Sequence, residues 1–334
     1  MGVLMRVKYL LVGLLLVLAA CGNTESSSST SENSESSEEG VKDVKVVLNW
    51  FAKAQHGGVY AARENGLFEE TGLNVTIEPG GPQVSSINMV ASGKAEFGLA
   101  HADQIVNARN EGIELIAVAS AMQGSPQAFM FHEGKGIEDF DELNGRKVFV
   151  QPGIVYWEYL KTQYDLSKVE ELAHTGQHGN FIADENSVTQ AFVTSEPYFM
   201  KLDGIEVETK LISDAGYDPY NIVLYVTKDY LKENKETVKA FTTAFVEGWN
   251  LYKDSYEDIN KVIQEDNPDI ELESLKFEAE AQAEFVYGGD AAEHGVGYMT
   301  EERWATLIDQ LNELKILEET FDAKEIFTTE FLTE

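Results

Sequence analysis

Five short segments bring rings, carboxylates and an imidazole to places where the pattern turns from strand to helix. The first is Leu48-Asn-Trp-Phe-Ala-Lys-Ala-Gln-His-Gly-Gly-Val-Tyr60, which carries Trp50, Phe51, His56, Gly57 and Tyr60. The others are Ala100-His-Ala-Asp103, Gln151-Pro-Gly-Ile-Val-Tyr-Trp-Glu158, Thr194-Ser-Glu-Pro-Tyr198 and Asp214-Ala-Gly-Tyr-Asp-Pro-Tyr-Asn221. They add Asp103, then Tyr156, Trp157 and Glu158, then Glu196 and Tyr198, and finally Tyr220. Taken singly, each ring is more often core and each carboxylate more often a cap or solvated. Five such clusters at turns are harder to place in a core, because turns lie on surfaces and carry function more often than packing. A carboxylate in a closed cleft demands donors, at a cost of about 1–3 kcal/mol where none is found. Offset stacking on a ring adds about 0.5–1.5 kcal/mol. The combination suits a planar molecule that donates hydrogen bonds. An oxyanion would call for cations or a helix N-terminus instead, and near these turns only Lys53 and His56 offer positive charge.

Bond-breaking chemistry has less support. The chain has no Gly-x-x-x-x-Gly-Lys-Ser/Thr loop and no Gly-x-Ser-x-Gly elbow. His174 and His178 have helical i,i+4 spacing, but Gly176 and Gly179 argue against a helix there and no third zinc ligand stands close by. Metal and cofactor are therefore both expected to be none.

The elements that must position these segments alternate. Val44–Leu48 and Leu73–Ile77 read as strands around a helix at 60–70, with Gly72 at its C-terminal stop. Ser85 or Ser86 caps a short helix ending at Ala91, followed by strands at 95–100 and 115–119. Strands at 128–131 and 147–150 follow, then an aromatic-rich helix from Tyr156. Residues 187–192 read as a helix leading to a strand near 192–194, and Asn221–Thr227 as a strand returning to the first half. Helices at 236–252, 259–264, 272–285 and 301–314 end the chain. Strands and helices alternating with short joints imply α/β lobes with parallel sheets. Ligands in such sheets lie beyond the strands' C-terminal ends, and the Gly57-Gly58 pair would let the backbone approach one closely.

The first 20 residues pair a basic start (Arg6, Lys8) with an apolar run, Tyr9–Ala20, too short for the roughly 20 residues that cross a bilayer. Leu18-Ala19-Ala20-Cys21 resembles a bacterial lipoprotein signal, which implies cleavage before Cys21 and a lipid on its sulfur. Cys21 is the chain's single cysteine, so no disulfide competes for it. Residues 21–40 are mostly Ser, Thr, Glu and Asn, with nothing to bury, and read as a disordered tether. The expected location is extracytoplasmic, lipid-anchored at the cell membrane. Without Arg6 and Lys8 the chain carries 23 basic against 58 acidic residues, net −35, which repels nucleic acid and anionic lipid. The length beyond the tether favours two lobes, placed at 41–130 with 222–334 and at 131–221.

Leu48-Asn-Trp-Phe with His56-Gly-Gly and Tyr60, Ser92-Gly-Lys-Ala-Glu-Phe-Gly98, Tyr156-Trp-Glu158 and Ser195-Glu-Pro-Tyr198 together resemble the solute-binding lipoproteins of ABC importers. The branch they resemble includes thiamine-pyrimidine synthases and sulfonate, taurine and nitrate binding proteins. The resemblance spans about 41–245. It implies a type II periplasmic-binding-protein fold, two α/β lobes joined by two hinge crossings. The ligand would lie between the lobes, and the partners would be a permease and its ATPase. The Trp-Phe…His-Gly-Gly…Tyr turn points to the pyrimidine side, with formylaminopyrimidine or hydroxymethylpyrimidine as ligand. Trp50, Tyr60 and Trp157 would stack, Glu158 and Glu196 would accept from the amino edge, and His56 and Asp103 would complete the hydrogen bonding. A riboflavin-like ring, or a sulfonate, taurine or nitrate, is the alternative. Enzymatic relatives carry a cysteine-rich motif that this chain lacks, so the expectation is a monomeric binding protein and not an enzyme.

Overall fold

A computed structural model describes residues 41–332; the expected signal peptide, Cys21 and the expected tether lie outside the described residues. Ten strands form two five-stranded sheets. In the first, β1 (Lys42–Val47) pairs in parallel with β2 (Leu73–Glu78) and β3 (Phe97–Ala100). Next to β3 runs β10 (Asn221–Thr227), antiparallel both to it and to β4 (Leu115–Met122). The second sheet repeats the plan. Here β6 (Lys147–Val150) is parallel to β7 (Glu170–Ala173) and β8 (Val188–Phe192), and β5 (Gln127–His132) is antiparallel to β8 and to β9 (Val207–Leu211). The return of residues 221–227 to the first half is as the sequence implies. The sheets are mixed and not purely parallel, because β5 and β10 each enter directly from a crossing and not through a helix.

The chain passes between the sheets at Gln123–Pro126 and again at Ile212–Tyr220. The break therefore precedes β5, several residues before the expected boundary after residue 130. The two crossings are tied together: the Ser125 N–H donates to Asp218 Oδ1 at 2.7 Å, and Asn221 Nδ2 donates to Ser125 Oγ at 3.3 Å. Where the second crossing enters β10, Ile222 sits at φ 51°, a region β-branched residues avoid, held by its N–H bond to Asn221 Oδ1.

Every residue of β4 is buried, alternate side chains feeding two cores. Ile116 and Val118 face a cluster with Trp249, Phe241 and Phe68, while Leu115 and Ala117 face one that continues into the second sheet through Phe129, Val148 and Trp157. Residues 188–192, expected as a helix, are strand β8, since Val188 and Thr189 pair with β6. The polar Gln190 that spoils their apolar pattern faces a cavity between the sheets. One helix, Lys235–Asp266, replaces the two expected there, and the acidic stretch after Asp254 is its solvated face.

The glycine pair has a different reason from backbone approach to a ligand. Gly57 and Gly58 open the Gly57–Glu64 helix, and a Cβ at either would collide with the rings of Tyr252 and Trp249 on the long helix. Gly248 in turn lies against the carbonyl of Gly58. Small residues on both faces let the two backbones touch. Gly248→Ala forces them apart, and overpacking of this kind costs about 2 kcal/mol, roughly 5 °C in thermal unfolding. Gly179→Ala, which meets no atom within 4 Å, serves as the control and should leave the midpoint unchanged in the same calorimetric scan.

Candidate ligand-binding cleft

A cavity of about 350 Å³ lies at the C-terminal ends of the parallel strands of both sheets. That is within the usual size of a small-molecule site, about 300–1,000 Å³. From the first sheet come Asn49, Trp50, Lys53 and Gln55 after β1, the turn at 81–87, and His101 and Gln104 after β3. From the second come Gln127 on β5, Gln151 and Ile154 after β6, His174 after β7, Gln190–Phe192 on β8, and Ser195 and Glu196 after it.

Seven side chains of this wall are amides: Asn49, Gln55, Gln83, Gln104, Gln127, Gln151 and Gln190. Gln127 Nε2 donates to the Ala191 carbonyl at 3.0 Å, so its Oε1 is left to accept. Gln190 Oε1 accepts from the Gln151 N–H at 2.5 Å and from the Tyr156 hydroxyl at 3.1 Å, leaving its Nε2 to donate. Gln104 Oε1 accepts from the His101 N–H and Asn49 Oδ1 from His56 Nε2, so both of these amides present NH2 groups. Asn221 Nδ2 donates to His101 Nδ1 at 3.2 Å, which places the proton of that ring on Nε2. Burial holds His101 below its usual pKa, and burial together with His178 lowers His174 to about 4. Both rings are neutral near pH 7.

Among the described residues, Lys53 is the one lysine or arginine on the wall. Its ammonium lies 2.7 Å from Ser195 Oγ, 3.3 Å from Glu278 Oε1 and 3.5 Å from Glu196 Oε1. Burial alone would lower its pKa, but the two carboxylates outweigh that and raise it. Burial likewise opposes ionisation of Glu196, yet Lys53 and the Phe192 N–H, 2.6 Å from Oε2, bring its pKa below the usual value. Glu278 is the exception: burial prevails over Lys53 and its pKa is raised. Glu278 sits on the Leu272–Ala281 helix beside the first sheet, accepts from the Ala54 N–H, and takes a 2.5 Å hydrogen bond from the Ser195 hydroxyl. Beside this cluster the rings of Tyr198 and Phe277 stack at 4.7 Å.

Of the residues singled out from sequence, Trp50 and Glu196 line the cavity. The remaining ten are placed elsewhere. Phe51 is 45% exposed at the rim, edge-on to Trp50. His56 is buried behind the wall, its Nε2–H on Asn49 Oδ1 at 2.9 Å, so it braces the turn. Gly57 packs on Tyr252, and the Tyr60 hydroxyl ends on Asp266 Oδ2 at 2.8 Å, away from the cavity. Asp103 is buried, its Oδ2 accepting from Tyr217 at 2.8 Å, and burial raises its pKa. The Tyr156 hydroxyl donates to Gln190 Oε1 at 3.1 Å and is outside the cavity lining. Trp157 is core, its indole N–H on Glu171 Oε2, and Glu158 is a surface carboxylate paired with Lys161 at 2.8 Å. Tyr198 lies in its stack with Phe277, and Tyr220 is held in the core under Arg303. The glutamines, Phe192 and Glu278 escaped sequence reasoning. Position at a strand's C-terminal end would have found Gln151; nothing in the sequence points to Gln190, in the middle of β8, or to Glu278.

Residues 53–257 match the NMT1/THI5 like family model. The chain belongs to the NMT1/THI5 like family. Within the family's wider relatives it is 24% identical over 299 residues to the formylaminopyrimidine-binding protein of Halalkalibacterium halodurans, across 86% of this chain and 90% of that one. It is 25% identical over 246 residues to a 4-amino-5-hydroxymethyl-2-methylpyrimidine phosphate synthase of Saccharomyces cerevisiae, across 65% and 72%. Solved structures with the same fold include the periplasmic aliphatic sulphonate binding protein of Escherichia coli, with TM-score 0.65 and 13% identity over 88% of this chain and 94% of that one. The periplasmic nitrate-binding protein of Synechocystis follows at TM-score 0.63 and 12% identity, covering 87% of each. This NMT1/THI5 like chain thus has the α/β fold of periplasmic binding proteins. No helix among its described residues is long and apolar enough to cross a membrane.

Burial, and secondarily Lys53, lowers the His56 pKa to about 3. The unfolded chain takes up this proton near pH 6.5 and the folded chain only near 3, so stability falls as pH drops through that window. The slope is about 1.4 kcal/mol per pH unit. Urea unfolding at pH 6.5 and 5.0 should show wild type losing about 1.6 kcal/mol more than His56→Asn across that interval. Equal losses would mean His56 is not held neutral.

Proposed function

We propose that this chain is the extracytoplasmic solute-binding protein of an ABC importer, anchored through a lipid on Cys21. Its ligand on this reading is a flat, donor-bearing heterocycle of the thiamine-pyrimidine class, formylaminopyrimidine or hydroxymethylpyrimidine. The observation that carries the reading is the amide wall. Acceptors at Gln127 and Glu196 and donors at Asn49, Gln104 and Gln190 line one cavity with the rings of Trp50 and Phe192. An aminopyrimidine edge presents the complement, N–H donors beside ring-nitrogen acceptors. The name of the Halalkalibacterium relative, matched over nearly its whole length, supports the same class.

Sulfonate or nitrate is the second reading, since structural neighbours carry those names. The spent cation and neutral histidines of the cleft count against it. An enzymatic reading follows from the yeast relatives' name; the Ser195 hydroxyl beside Lys53 is the nearest to a nucleophile, and it is tied to Glu278 in the ion cluster.

Calorimetry on the mature protein should give tight binding of one of the two pyrimidines and no heat with taurine. The reverse outcome would overturn the assignment. Trp50→Ala should weaken pyrimidine binding about 2- to 12-fold, the worth of one stacked ring. Glu196→Gln should weaken it about tenfold or more, as loss of a charge-assisted hydrogen bond implies.

A further inference from the structure

We infer that the cleft refuses anionic ligands because Glu278 and Glu196 consume the charge and the donors of Lys53, and that Glu278 thereby sets specificity without touching the ligand. The inference rests on the ligand class proposed above and narrows it to uncharged forms, the free pyrimidine and not its phosphate ester.

A lysine ammonium has three N–H donors and no more. At Lys53 three acceptors stand within reach, Ser195 Oγ, Glu196 Oε1 and Glu278 Oε1, at 2.7, 3.5 and 3.3 Å. The cluster is shut from behind, since the Ser195 proton goes to Glu278 and the second Glu278 oxygen takes the Ala54 N–H. With Glu196 ionised the Lys53 charge is already balanced, and where Glu278 is ionised as well, against the burial that raises its pKa, the cluster carries one net negative charge. Other groups that could greet an anion are also engaged or neutral. The Ser86 hydroxyl gives its proton to the Leu99 carbonyl at 2.9 Å, and the His101 and His174 rings are uncharged. A phosphate monoester carries about −1.5 to −2 at pH 7 and binds where arginine or lysine can pair with it. In this cleft it would lose water, find no free cation and face Glu196.

Glu278 is the residue that distinguishes this wall from an anion site. It lies on a helix 224 positions along the chain from Ala54, the residue next to Lys53, and is outside the cavity lining. Replacing its charge takes the cluster from one net negative charge to none and leaves Lys53 with one carboxylate instead of two.

The test compares three ligands by calorimetry: 4-amino-5-hydroxymethyl-2-methylpyrimidine, its phosphate monoester, and its O-acetyl ester as a neutral compound with added bulk at the same position. Wild type should bind the free pyrimidine at least 100-fold more tightly than the phosphate and the acetyl ester within about tenfold of the free pyrimidine. Glu278→Gln should shrink the pyrimidine-to-phosphate ratio at least tenfold, and Glu278→Asp, which keeps the charge, should restore most of it. Equal binding of pyrimidine and phosphate, equal rejection of acetyl and phosphate, or a folded Glu278→Gln with an unchanged ratio would each overturn the inference. Should Glu278→Gln fail to fold, the wild-type series decides alone. Failure of both the free hydroxymethylpyrimidine and formylaminopyrimidine to bind would instead overturn the ligand class, so the two readings fail separately.

Discussion

A buried lysine is the constraint around which the cleft is built. Removing an ammonium from water is costly unless it is paired and hydrogen-bonded, and breaking such a pair by deleting one partner costs about 3–5 kcal/mol. The partners of Lys53 come from widely separated parts of the chain. Glu196 and Ser195 arrive from the turn after β8, on the second sheet, and Glu278 from a helix packed beside the first. Satisfying one ammonium therefore fixes the spacing of the loops that face each other across the cavity. The Tyr198–Phe277 stack lies on the same seam and adds apolar contact where the ion cluster adds charge.

That same pairing decides the chemistry of the space it borders. Once the lysine is occupied and burial has neutralised the histidines, much of the polarity left on the wall belongs to side-chain amides, beside Glu196 and the serines. An amide offers a donor and an acceptor with no net charge, and which one faces the cavity depends on what its other end is tied to. Gln190 is tied by its oxygen and Gln127 by its nitrogen, so two chemically identical side chains present opposite faces. On the proposed reading, a neutral planar molecule with both kinds of edge group finds a complement for each on such a wall.

The architecture was legible in the chain because alternating strands and helices, and the return strand at 221–227, leave a period in the sequence. The antiparallel entry of β5 and β10 left none, since strand direction depends on which connection precedes it. Within the site, the segments after β1 and β8 were legible and the individual roles mostly were not. A tyrosine or tryptophan beside a strand end fills a core as well as it walls a pocket, and Tyr60, Trp157 and Tyr220 do the former. Glutamines carry no periodic mark, and Gln190 even disguised β8 as a helix. Glu278 pairs across more than two hundred residues, a distance over which charge patterning carries no information.

The glycines at 57 and 58 show how a right location can carry a wrong reason. They sit at the turn that shapes the cleft, yet their missing side chains are filled by Trp249 and Tyr252 from behind. Close packing there sets the height of the Gly57–Glu64 helix, and with it the short turn that carries Lys53 and His56. His56 then locks Asn49 through a neutral ring, a bond that a charged imidazolium could still donate but that burial would penalise. The polar wall is thus held at its working geometry by apolar contacts on its far side. A change at Gly248, remote from any ligand, reaches the cleft through the same helix that the glycines allow to approach.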